Sequence, residues 1–199
     1  IEGGINEGFG VSSGDDDTVN WGEGNIDLDP RFIDAENGNY SLFASSRLIN
    51  AGDPEITDSD GSRSDMGAYP YLNDYDGEAG WHVSTIGSDI TGDGSSWNNF
   101  FSIQAGLNFA RDDQTVNIAT GEYFENVIWP DSTYKTGVQL LGEDENTTII
   151  NGGGINRVLQ IINVDESSSI RGFTITNGAG FSYHGAGLYL INSSLSLED

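Results

Sequence analysis

Asp58-Ser59-Asp60-Gly61, with Asp65 shortly after, sets three carboxylates in a glycine-bent loop. Hard oxygen ligands at that density are what Ca²⁺ takes, so Asp58, Asp60 and Asp65 form a candidate calcium site. The remaining ligands and terminal glutamate of an EF-hand are missing. A second reading of the loop is a turn whose aspartates accept backbone N–H bonds while Arg63 balances their charge. Asp89 with Asp93 repeats the pattern more sparsely. A different chemistry comes from the rings of Trp129, Tyr134, Tyr183 and Tyr189, which can stack on sugars and are the candidate carbohydrate contacts. Trp129, ahead of Pro130, reads equally as a packing residue.

Other chemistries are bounded by composition. With 32 acidic side chains, chance carboxylate pairs are inevitable, and no glycosidase pair can be singled out. Cysteine is absent, which excludes disulfides, thiol catalysis and cysteine-held metal. Seven basic residues against those acids give a net charge of −25, a field that repels nucleic acid and anionic lipid. No apolar run approaches the ~18 residues of a membrane span, and no charged-then-apolar leader is present. The chain begins at Ile1 and its single methionine is Met66, so it reads as a piece of a longer polypeptide.

The elements that must position these residues are short strands. Twenty-eight glycines sit between brief β-branched or leucine-rich runs, which is the pattern of many tight turns joining many short strands. Runs at 115–118, 138–141, 148–150, 158–162, 173–175, 188–190 and 195–197 alternate apolar and polar residues in several cases. Ile118, Leu140, Ile161 and Leu188 are spaced by 22, 21 and 27 residues, and Ile150, Ile175 and Leu197 by 25 and 22. Two interleaved series with a similar step predict a coil of ~22 residues that stacks like faces on one another, as in a parallel β-helix. Asn151-Gly152 and Asn177-Gly178 are the expected sharp bends, and residues 178–187 a protruding loop. One helix is predicted, over 102–111, with Ser102 as N-cap and Gly106 as a weak point of roughly 1 kcal/mol. It stands where a lid over the open end of the coils would stand.

The chain divides in three: residues 1–72, the C-terminal coil and cap of a first module; 73–80, an acidic linker; and 81–199, the N-terminal cap and first coils of a second module. In the second module, Val83-Ser84 through Asp89, the helix and Thr115-Val116-Asn117-Ile118-Ala119-Thr120-Gly121-Glu122-Tyr123 follow one another, and Gly172-Phe173-Thr174-Ile175-Thr176-Asn177-Gly178 has the form of a coil. In the first, Asp29-Pro30, Asn50-Ala51-Gly52-Asp53-Pro54, Asp58-Ser59-Asp60-Gly61 and Asp65-Met66-Gly67-Ala68-Tyr69 close the pattern.

In this order the motifs resemble bacterial secreted right-handed parallel β-helix repeat proteins of the pectin-lyase-like superfamily. Arg47 and Asn50 depart from it, where proline and aspartate are frequent. The resemblance implies an all-β, right-handed parallel β-helix with one short capping helix, an extracellular or cell-surface location, and a polysaccharide or cell-surface glycan as partner. It covers both non-catalytic surface modules and enzymes that cleave polysaccharides. Lyases of this kind need a cation at the uronate carboxylate and a base for the adjacent proton. Lys135, Arg157, Arg171 and His184 are the basic choices, with Arg171 and His184 read most simply as exposed residues. The non-catalytic module is the first expectation; a lyase or hydrolase with its active site outside these residues is the alternative.

Overall fold

A computed structural model describes residues 26, 28–130, 135–180 and 185–198. These residues are mostly β, with one α-helix, and the strands lie chiefly in parallel sheets compatible with a parallel β-helix.

Alternation builds the strands. In β4 (Thr115–Ile118) Val116 and Ile118 are buried while Thr115 and Asn117 are half-exposed, so one face packs and the other meets water. The same alternation runs through β3 (Trp81–Val83), β5 (Gly121–Phe124), β6 (Val127–Ile128), β7 (Gln139–Gly142), β8 (Thr148–Asn151), β9 (Leu159–Ile162), β10 (Ser169–Arg171) and β11 (Thr174–Thr176), while β12 (Leu188–Ile191) is not clearly two-faced and β13 (Ser196–Glu198) is exposed throughout. They form three separate sheets, ordered β13-β10-β7-β4-β3, β11-β8-β5 and β12-β9-β6. Every pairing in these three sheets is parallel. The chain visits the sheets in the same cyclic order, so β4, β5 and β6 are followed by β7, β8 and β9 directly alongside.

The register corrects the expected period. Val116 stands beside Leu140, Ile170 and then Leu197, in steps of 24, 30 and 27 residues. Tyr123, Ile150 and Ile175 are spaced by 27 and 25 residues, and Val127, Leu159 and Leu188 by 32 and 29. The ~22-residue step arose because each sequence series crossed sheets: Ile161 belongs with β6 rather than β7, and Leu197 with β10 rather than β11. Three strands and three bends need more chain than that step allows.

Inside, the matched positions form apolar columns. Val116 and Leu140 are 0% exposed and Ile170 4%, whereas Leu197, at the edge of the same column, is 53% exposed. Outside, asparagine pairs continue from strand to strand: Asn177 Nδ2 donates to Asn151 Oδ1 at 3.1 Å and Asn192 Nδ2 to Asn163 Oδ1 at 3.4 Å. Left-handed backbone occurs at Asn163, Asn177 and Asn192, which leave β9, β11 and β12. Asn151, one of the expected bends, is instead the last residue of β8, and the left-handed turn beyond it falls on Gly153 and Gly154.

The predicted helix is α1 (Ile103–Phe109), with all seven residues buried and Ser102 Oγ accepting from Ala105 N. Gly106 is there for contact. A Cβ at this position would lie 2.5 Å from Val116 Cγ1 and 3.0 Å from Val83 Cγ2, so only glycine lets the helix seat on β3 and β4. Gln104 covers the free edge of β6: its Nε2 donates to Ile128 O at 2.9 Å and its Oε1 accepts from Ile128 N at 2.8 Å.

The N-terminal segment departs from the stacked strands expected there. β1 (Phe32–Asp34) and β2 (Asn39–Leu42) pair antiparallel. Asp34 accepts from Asn37 N and Nδ2, tightening a 3-10 turn that ends on left-handed Gly38 and sends the chain straight back. Leu48 and Ile49 lie in a turn. Tyr75, in the acidic stretch 73–80, packs edge-on against Trp81 at 5.2 Å and donates to Gly80 O. Tyr71, Phe109, Trp81 and Phe100 continue this ring cluster, and Leu42, Ala44 and Ile49 share the apolar core of the coils.

Candidate functional site

Two polar centres surround α1, one at each end. Four backbone amides at its start point away from any helical partner. Asp89 Oδ1 accepts from Phe101 N at 2.9 Å and Ser102 N at 3.1 Å, and Glu125 accepts from Ile103 N at 2.7 Å and Gln104 N at 3.1 Å. Burial, more than the nearby Asp89 charge, pushes the Glu125 carboxyl up to about 7 despite those two bonds. At the other end Lys135 Nζ donates to Leu107 O at 2.8 Å and to Asn108 O. Burial lowers this ammonium to about 7, helped by Arg111 and Arg63 and opposed by Asp112. An acid at the start and a cation at the end both suit the helix dipole. Asn108 then binds Ala44 O and Ser46 O through Nδ2, and Asn50 Nδ2 donates to Asn108 O, so α1 also holds the N-terminal segment.

Beside the helix end lies a cavity of about 360 Å³, bounded by the 47–51 segment, α1 and the sheet face carrying Ile128, Gln160 and Ile162. Arg47, Arg63 and Lys135 all line it. A second cavity, of about 390 Å³, touches Glu125 and Asp89 at the other end of the helix, with Arg31 and Arg47 on its wall.

Each of the expected calcium ligands accepts at least one backbone amide. Asp65 accepts from Asn50 N through one oxygen and from Tyr71 N through the other, both at 2.7 Å. Asp58 accepts from Asp65 N at 3.0 Å, and Asp60 from Ser62 and from Asn73 N at 2.8 Å. No cluster of three or more His, Cys, Asp or Glu that could hold a metal ion occurs among the described residues. The three aspartates thus tie residues 50, 65, 71 and 73 together. Burial is the largest influence on Asp65 and raises its carboxyl to about 6. At Asp60 burial acts upward too, but the bonds from Ser62 and Asn73 prevail and hold it below the ordinary range. Arg63 reaches Gly52 O through Nε at 2.8 Å.

The candidate sugar contacts separate. Trp129 is 2% exposed and belongs to the core, which removes its ring from any glycan surface. Tyr189 is half-exposed on β12, with the Arg157 guanidinium 3.8 Å above its ring and Gln160 beside it in register. Tyr134, Tyr183 and His184 lie outside the described residues, as does the tip of the 178–187 loop. Arg171 is exposed and lies next to Glu198 in register.

Sequence pattern could not single out Glu125, Gln104 or Asn108, because one polar residue in a helix or after a strand carries no periodic signal. The cation trio did leave a trace, since it is three of only seven basic residues in the chain. Compared with protein-family models, with curated proteins and with solved structures, the chain finds no match in any of the three.

Proposed function

We propose that the three parallel sheets are the faces of one right-handed parallel β-helix of the pectin-lyase-like type, capped by α1. In this reading residues 1–72 are the end of a preceding module, 73–80 the junction and 81–199 the start of the next. The protein is a bacterial extracellular or cell-surface β-helix protein, and this part of it is a non-catalytic module that contacts glycan through its outer face. The observation that carries this is the cyclic order of the parallel sheets, with polar side chains repeating outside. Such a face offers hydrogen bonds at strand spacing along an extended chain, and the stacked Arg157 and Tyr189 add a flat ring to it. Calcium, if it takes part, would share Asp58, Asp60 and Asp65 with the amides that they hold.

A glycan microarray probed with the chain, followed by titration of the hits, tests this reading. Binding to an extended polysaccharide that Tyr189→Ala weakens about tenfold supports it. Absence of binding to every neutral and acidic glycan overturns it. Appearance of unsaturated or shortened products during the same incubations would instead assign the alternative, a polysaccharide lyase or glycoside hydrolase.

A further inference from the structure

The cavity beside the C-terminal end of α1 has no part in a glycan-contacting outer face, yet it gathers charge against the trend of the whole molecule. We propose that it is a binding site for a small organic anion, a carboxylate on an apolar body, held by Arg47, Arg63 and Lys135.

Four observations converge. First, three of the seven cations line one cavity in a chain of net charge −25, Arg63 among them also donating to Gly52 O. Second, Arg47 makes no hydrogen bond or ion pair among the described residues, and Lys135 spends two of its three N–H groups on helix carbonyls, leaving one. Third, burial chiefly lowers Lys135, with Arg111 and Arg63 adding to it and Asp112 opposing, and a carboxylate placed beside its remaining N–H would favour the charged ammonium. Fourth, the rest of the lining is chiefly apolar, from Ile49, Ile128, Trp129 and Ile162, with the Gln160 amide making no side-chain hydrogen bond. Inorganic phosphate would leave that apolar wall unfilled, whereas a ring or short chain bearing a carboxylate covers both halves, and about 360 Å³ suits a ligand of that size. Guanidinium groups are the geometric match for a carboxylate, through paired N–H bonds.

Calorimetric titration of the chain with sodium benzoate, with the isosteric neutral benzamide and with inorganic phosphate tests this. The expected result is saturable one-to-one benzoate binding, at least ~10-fold tighter than benzamide or phosphate. Arg47→Gln, which removes no structural bond, should weaken benzoate by ~5-fold or more with the melting midpoint unchanged. Lys135 supplies a second readout. Arg63 and Arg111 face it as cations and Asp112 as an anion, and an added carboxylate raises its pKa. Binding at pH 8 should then take up protons, seen as a heat that changes with the ionisation enthalpy of the buffer. Lack of saturable benzoate binding, equal affinity for benzamide, preference for phosphate, or indifference to Arg47→Gln would each overturn the assignment. None of these outcomes bears on glycan binding at Tyr189, so the two proposals fail separately.

Discussion

The parallel sheets built from strands between 115 and 198 and the segment from 28 to 80 are held by different forces. In the sheets, apolar side chains stack in columns and backbone ladders run between parallel strands. In the N-terminal segment, carboxylates and amides bind backbone: Asp65 joins residues 50 and 71, Asp60 holds 73, and Asn108 of α1 reaches back to 44 and 46. Columns tolerate change at their wet faces and fail at their centres. A polar staple fails when one acceptor is lost or protonated, because the amides it served stay buried without partners.

The largest break is expected at the column centre. Leu140→Ala, at a fully buried site between Val116 and Ile170, should cost about 2–5 kcal/mol and lower the urea midpoint of the whole chain. A loss below ~1 kcal/mol would mean that the column is not a closed core. Next comes Asp65→Ala, which strands two amides and should cost about 1–3 kcal/mol. Hydrogen exchange should then quicken across 50–73 and leave β4, β7 and β10 protected; uniform quickening would erase the distinction between the regions.

Acidity sharpens the comparison further. Glu125 and Asp65 have folded pKa values raised to about 7 and about 6, so their contribution to stability is present below the unfolded values and is lost as pH rises through these. Lys135 is lowered to about 7, so its contribution is present above its unfolded value and is lost as pH falls through about 7. Stability from these three groups is lowest near neutrality and rises both toward pH 5 and toward pH 9. Below that acid limb, protonation of Asp60 and Asp93, both held low, removes stability again. Urea midpoints measured across pH 4–9 should show the shallow minimum, and Glu125→Gln should flatten its acid side. A midpoint that falls steadily from pH 7 to 5 would contradict it. The smallest effect is expected of Arg171→Ala on the exposed face, within about 0.5 kcal/mol by the same measurement.

Much of this was legible in the residues, for a local reason. Alternation in Thr115-Val116-Asn117-Ile118, the Ser102 cap and the glycines between short runs each act within a few positions, and they announced short strands and the single helix α1. The loop of Asp58, Asp60 and Asp65 was legible only as carboxylates; which amides they hold depends on residues 50, 71 and 73 arriving from elsewhere in the chain. Trp129 shows the same limit, since a ring ahead of a proline reads alike inside or outside.

By itself the order of residues determined strand type, helix position, the acidic surface and the absence of cysteine chemistry, because these follow from local sterics and from charge counts. Tertiary structure alone decided the spacing between paired strands, the company kept by Glu125 and Lys135 at the two ends of α1, and the meeting of Arg47, Arg63 and Lys135 at one cavity. Those arrangements join positions up to 88 residues apart, and only the docking of the N-terminal segment and of the parallel sheets onto α1 brings them within reach of a hydrogen bond or a shared field.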